Sequence, residues 1–176
     1  MRVEVRRADI GFVMSAQAVV DASIGTAWRT MTDYEHLPQF IPGLRSAQVV
    51  ERHGGAADED LVVEERGDAH FLMFGQSFRI RMDVHQAAPH EISAHGVPWT
   101  APAGPNEVEP KAFEARYELE PTPAGVRIVY SARIVPAASW PATLERIALR
   151  QTASRQFGAL IAEILRRERD ARSTVQ

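Results

Sequence analysis

The chain has 176 residues, with 20 basic and 23 acidic side chains, a formal net charge of −3 and no cysteine. One domain of that length buries about 70% of its unfolded surface and needs no covalent staple, and the lack of cysteine excludes disulfides, zinc–thiolate sites, iron–sulfur clusters and a thiol nucleophile. A net acidic chain lacks the basic face that neutralises phosphates, which argues against nucleic acid as a partner. Lys111 is the only lysine, which weakens any Schiff-base or P-loop scheme. The start, MRVEVRRADIGFVMSAQ, has arginines but no apolar run of roughly 7–15 residues before a cleavage site. No stretch of about 18 apolar residues follows it, so the chain reads as one cytoplasmic domain, 1–176, with its core over 10–169.

From Ile10 to Val20 small and apolar residues predict an opening strand. Ser23 supplies an N-cap, and Ala27, Trp28 and Met31 recur at helical spacing behind it. Thr32-Asp33-Tyr34-Glu35 has the spacing of a capping box and predicts a second helix from near Asp33. Pro38 and Pro42 limit that helix to a turn or two, leaving Phe40 and Ile41 on a bent loop.

Strands are expected at Ala47–Arg52, Asp60–Arg66 and Phe71–Val84, separated by HGGAADED and RGDAH as glycine-bearing, acidic turns. Glu64, Glu65, Asp68 and His70 fall at or beside the second of these turns. In the third strand Phe78, Ile80, Met82 and Val84 alternate with Arg79, Arg81, Asp83 and His85, so one sheet face should be wet. Another strand spans Glu91 to Gly96, and four prolines between Val97 and Lys111 then predict a long loop containing Trp99. Two further strands place Phe113, Ala115, Tyr117 and Leu119, then Val126, Ile128, Tyr130, Ala132 and Ile134, on one face. Their charged partners lie on the other face, where Arg127 and Arg133 can pair with the preceding glutamates.

A long helix closes the chain from Trp140 to about Arg169, with Ser139 as its N-cap and Pro141 in its first turn. Trp140, Leu144, Ile147 and Leu165 cluster on its helical wheel, and Leu149, Ala153, Phe157, Leu160, Ile161 and Ile164 widen the apolar arc to roughly 200°. An arc of that width suits a helix lying across a curved sheet. The fold class is therefore α+β: about seven antiparallel strands wrapped around a C-terminal helix, with two short helices after the first strand.

With that order of elements, and with D-A-S…A-W…T-D-Y-E-x-L-P-x-F-I-P-G-L from Asp21 to Leu44, the sequence resembles the START-like, or SRPBCC, helix-grip superfamily, which is also described as Bet v 1-like. Within it, the stretch is similar to the polyketide cyclase/dehydrase and coenzyme Q-binding (Coq10-like) branch, although Pro42-Gly43 stands where that branch usually has Pro-Trp. The resemblance implies a deep apolar cavity between sheet and helix that takes a lipid, quinone or polyketide-like molecule, and no cofactor. It also implies a cavity wall containing Phe40, Ile41, Phe78, Ile80, Met82, Tyr117, Tyr130, Trp140 and Leu144, although a filled core has the same periodicity.

Chemistry has few candidates. His90 and His95 are five apart, on opposite faces of a strand, which argues against a metal. Gly75-Gln76-Ser77-Phe78-Arg79 lacks the last glycine of a nucleophile elbow. Tyr117 and Tyr130 are the candidate catalytic groups, able to donate to a ligand carbonyl during aldol cyclisation, as against a plain buried-tyrosine role. Arg146 and Arg150 interrupt the helix arc and could reach an anionic head group or snorkel to solvent. Three readings follow: carriage of a hydrophobic small molecule, polyketide cyclisation, and binding of a protein partner. A homodimer is one of the assemblies left open.

Overall fold

A computed structural model describes residues 1–55, 57–71, 74–137 and 142–174. In chain order these form β1 (Arg2–Arg7), β2 (Phe12–Val20), α1 (Ile24–Met31), a 3-10 helix (Tyr34–Gln39), β3 (Leu44–Gly55), β4 (Asp58–Phe71), β5 (Phe74–Ala87), β6 (Glu91–Val97), β7 (Glu107–Val108), β8 (Ala112–Thr122), β9 (Gly125–Val135) and α2 (Ala142–Thr174). The strands make a single unclosed, curved sheet in the order β1-β2-β9-β8-β6-β5-β4-β3, and β7 pairs in parallel with β5. Every other pairing is antiparallel. Two register shifts in β3, between Leu44 and Ser46 and between Val49 and Glu51, each leave an extra residue that bends this edge of the sheet.

The helix-grip class is the one observed, with strands at both ends of the count that periodicity missed. Val3 and Val5 alternate with charged residues, and β1 pairs them with Ala16 and Met14 of β2. At the other extreme, β6 leaves β5 after Val97, and the freed backbone at Ser77 and Phe78 is met by β7, inside the segment expected to be all loop.

α2 packs on β1, β2, β4 and α1. Val20, Val63, Val126, Ile128 and Ile164 are the heart of the main core, and Val5, Phe12, Met14 and Ala132 form a second cluster with Leu149 and Ala153. Ser23 caps α1 by accepting from the Thr26 N–H at 3.1 Å, and its own backbone N–H donates to Glu168 of α2 at 3.2 Å. The motif from Asp21 to Leu44 is thus tied to the closing helix near its start. It is tied again at the 3-10 helix, where Arg167 donates to Asp33 at 2.9 Å and lies over the Phe40 ring at 5.6 Å.

Four local expectations are corrected. Thr32 does not form a capping box, because it ends α1 and its hydroxyl donates to the Trp28 carbonyl at 2.9 Å. RGDAH is not a turn, since β4 continues through it to Phe71. A Cβ on Gly67 would lie 2.2 Å from the Gly43 carbonyl oxygen and 2.6 Å from the Phe78 ring, so this glycine permits a close backbone approach inside a strand.

Arg79 is not on a wet face, being only 2% exposed. The proline-rich loop folds back over the outer side of β5, where Arg79 donates to the Ala101 and Pro102 carbonyls at 2.7 and 3.0 Å and to Glu109 at 2.8 Å. The Trp99 ring lies against the Arg79 and Arg66 guanidinium groups at 4.5 and 5.1 Å. Lastly, Leu144 and Ile147 are 38% and 45% exposed. A cavity separates this end of α2 from the sheet, and among the described residues the flank turned away from the cavity is left exposed. Among the described residues no helix is long and apolar enough to cross a membrane.

Candidate functional site

The cavity has a volume of about 410 Å³ and is lined from four directions. β5 contributes Phe78, Ile80, Met82 and Val84, the even-numbered face that period two assigned to the interior. β8 and β9 add Phe113, Ala115, Tyr117 and Tyr130, while Leu37, Ile41 and Leu44 come from the motif and its sequel. α2 closes the remaining side with Ala148, Leu149, Thr152, Ala153 and Phe157. Gln156 of α2 also donates to the Pro42 carbonyl at 3.1 Å, which binds the proline-bounded loop to the helix across the wall.

The proline-rich loop reaches the same cavity from outside. Its Val108 and Pro110 point inward and line the wall. The alternate residues Glu107 and Glu109 hold Arg66 and Arg79 on the outer face. One short extended segment therefore serves as wall on one side and as clasp on the other.

Of the nine residues expected at a ligand, Ile41, Phe78, Ile80, Met82, Tyr117 and Tyr130 share this wall. Phe40 does not, being packed beneath Arg167 at the edge of the core. Leu144 is exposed beside the cavity, and Trp140, like Ser139 and Pro141, lies outside the described residues. Arg146 and Arg150 are exposed on α2 and form no part of the wall.

Tyr117 and Tyr130 face each other across β8 and β9 in register, with ring centroids 4.6 Å apart and planes tilted by 32°. Neither hydroxyl has a hydrogen-bond partner among the described residues. Burial raises both phenols above their ordinary range, and the nearby Glu65 carboxyl adds to the effect. Tyr34 is raised by burial as well, but its hydroxyl accepts from the buried Gln86 amide at 2.8 Å, leaving its own proton free to donate.

Glu65 is a wall residue that the expected turn at RGDAH obscures, since that turn would put it at the end of its strand. Because β4 runs through that segment, Leu61, Val63, Glu65 and Gly67 share the inner face, and Glu65 pairs in register with Ile80. Its accessible surface opens on the cavity, and no side chain among the described residues hydrogen-bonds or ion-pairs with it. Burial alone pushes its carboxyl up to about 7. Period-two counting from Leu61 and Val63 reaches Glu65 within the expected strand Asp60–Arg66.

The described wall holds two carboxyl groups, Glu65 and Glu145, and no arginine, lysine or histidine. Phenols, and a carboxylic acid in its protonated form, are hydrogen-bond donors, so the described wall holds donors and no positive charge.

A family model described as "Polyketide cyclase / dehydrase and lipid transport" matches residues 12–168. No curated protein matches the sequence. Among solved structures, the chain is similar to a fragment of a STAR-related lipid transfer protein from Xanthomonas axonopodis, at 16% identity and a TM-score of 0.72 over 92% of both chains. It is similar to human STARD10 at 12% identity and a TM-score of 0.72, covering 93% of this chain and 68% of the other. It is also similar to the Zhui aromatase/cyclase from Streptomyces sp. R1128, at 15% identity and a TM-score of 0.64, covering 88% and 94%. At such identities the likeness is one of fold.

Proposed function

The chain belongs to the polyketide cyclase/dehydrase and lipid transport family, and on that footing we propose that it binds a hydrophobic small molecule in the cavity between sheet and α2. The observation that carries this reading is the cavity itself: about 410 Å³, walled by aliphatic and aromatic side chains with a few polar groups. That size falls within the roughly 300–1,000 Å³ common for small-molecule pockets. Affinity would come from apolar burial, at about 25 cal/mol per Å² removed from water, and orientation from the polar end.

The test is native mass spectrometry of protein purified from its own host, followed by organic extraction. An apolar molecule bound one to one is expected, and Ala115→Phe, which places a ring in the cavity, should lose it while keeping a folded circular-dichroism spectrum. Equal ligand retention by the wild type and this variant would overturn the reading.

A cyclase or aromatase is the second reading, favoured by Tyr117 and Tyr130, whose rings face each other, whose hydroxyls have no partner among the described residues and which border the same space. A phenol there can donate to a carbonyl oxygen and stabilise the enolate of an aldol closure. Tyr130→Phe should then abolish product while leaving binding nearly intact, and unchanged product yield would remove the tyrosine from the mechanism.

A further inference from the structure

We infer that Glu65 is a specificity-determining residue of this cavity, and that the cavity takes an apolar molecule ending in an uncharged carbonyl oxygen in preference to a carboxylate or an amine. The inference rests on the cavity reading above and adds the chemistry of the ligand's polar end.

Glu65 projects from β4 into a wall that is otherwise aliphatic and aromatic at that point, opposite Ile80. It lacks a protein partner among the described residues. A half-buried acid without a partner among the described residues costs stability, so its presence is explained most simply by a group that it meets when the cavity is occupied. The tyrosines show what that group is. Among the described residues the Tyr117 and Tyr130 hydroxyls have no partner, Tyr34 has a free proton because its oxygen is already used by Gln86, and Glu65 lines the same wall. Four proton-bearing groups from β4, β8, β9 and the 3-10 helix thus border one cavity, and an acceptor oxygen satisfies them when Glu65 is protonated.

Charged ends are disfavoured for separate reasons. A carboxylate would enter a wall that has no arginine, lysine or histidine among the described residues and would face Glu65. An ammonium would leave the three phenolic donors without an acceptor.

The experiment is calorimetric titration, near pH 6, where Glu65 is mostly protonated, of wild type, Glu65→Leu and Glu65→Gln with three probes of matched chain length: methyl decyl ketone, laurate and laurylamine. The wild type should bind the ketone about tenfold or more tighter than either charged probe, the ratio expected for one good hydrogen bond against one unpaired charge. Glu65→Leu should lose most of that preference, by weakening the ketone and admitting laurate. Glu65→Gln, which still donates, should keep the ketone. Binding that ignores both head group and variant overturns the role of Glu65 while leaving the cavity reading intact. A Glu65-dependent preference for laurylamine or laurate overturns the uncharged class. Failure of all three probes with wild type and Glu65→Leu overturns the cavity reading and this inference with it.

Discussion

Replacing Glu65 by glutamine exchanges a buried acid for its uncharged isostere, and the two proteins should part company in stability as pH rises. Burial pushes the native carboxyl from its ordinary 4.5 up to about 7. In the unfolded chain the same group ionises near its ordinary value. Between the two pH values the unfolded chain has released a proton that the native state still holds, so native stability falls as pH increases. The contribution is fully present below the unfolded pKa, declines through the window and is lost once pH passes the native value. A gap of about two and a half pH units, at ~1.4 kcal/mol each, amounts to about 3 kcal/mol.

Urea unfolding of wild type and Glu65→Gln from about pH 4 to pH 9 measures this directly. The stability difference should move by about 3 kcal/mol in favour of glutamine across the range, nearly all of it between about pH 4.5 and pH 7. Other titrating groups, including His85, whose ring is raised by the Asp60 carboxylate, are common to both proteins and cancel in the difference. Parallel curves over the whole range would refute the claim that Glu65 is desolvated and unpartnered.

Two further perturbations address the frame around the cavity. Gly67→Ala drives a methyl group against the Gly43 carbonyl and the Phe78 ring, at 2.2 and 2.6 Å before relaxation. It should cost about 1–3 kcal/mol in a thermal melt, and a melting temperature equal to wild type would show that the backbones can separate freely. Arg79→Met leaves Glu109 and two loop carbonyls without their donor. A loss of about 2–3 kcal/mol is expected, with hydrogen exchange accelerated across residues 98–110, and unchanged exchange there would mean that Arg79 does not hold the loop.

The amino-acid sequence alone determined the parts of this protein that depend on short-range regularity. Period two placed Phe78, Ile80, Met82, Tyr117 and Tyr130 on the inner face, because alternation is built into extended backbone. Ser23 announced α1 because an N-cap is a contact between residues three apart. Tertiary structure decided what lies across from each residue. Gly67 looked like a turn until Gly43 and Phe78 were brought against it, and the misread turn put Glu65 at the end of its strand. Arg79 looked wet until a loop from more than twenty residues away returned to cover it, and Leu144 looked buried until the cavity left its flank of α2 bare. The physical reason is common to all three. A local pattern states which residues share a face, whereas desolvation depends on every segment that later packs there, and Glu65 borders the cavity because β4, β5 and the motif assemble around it.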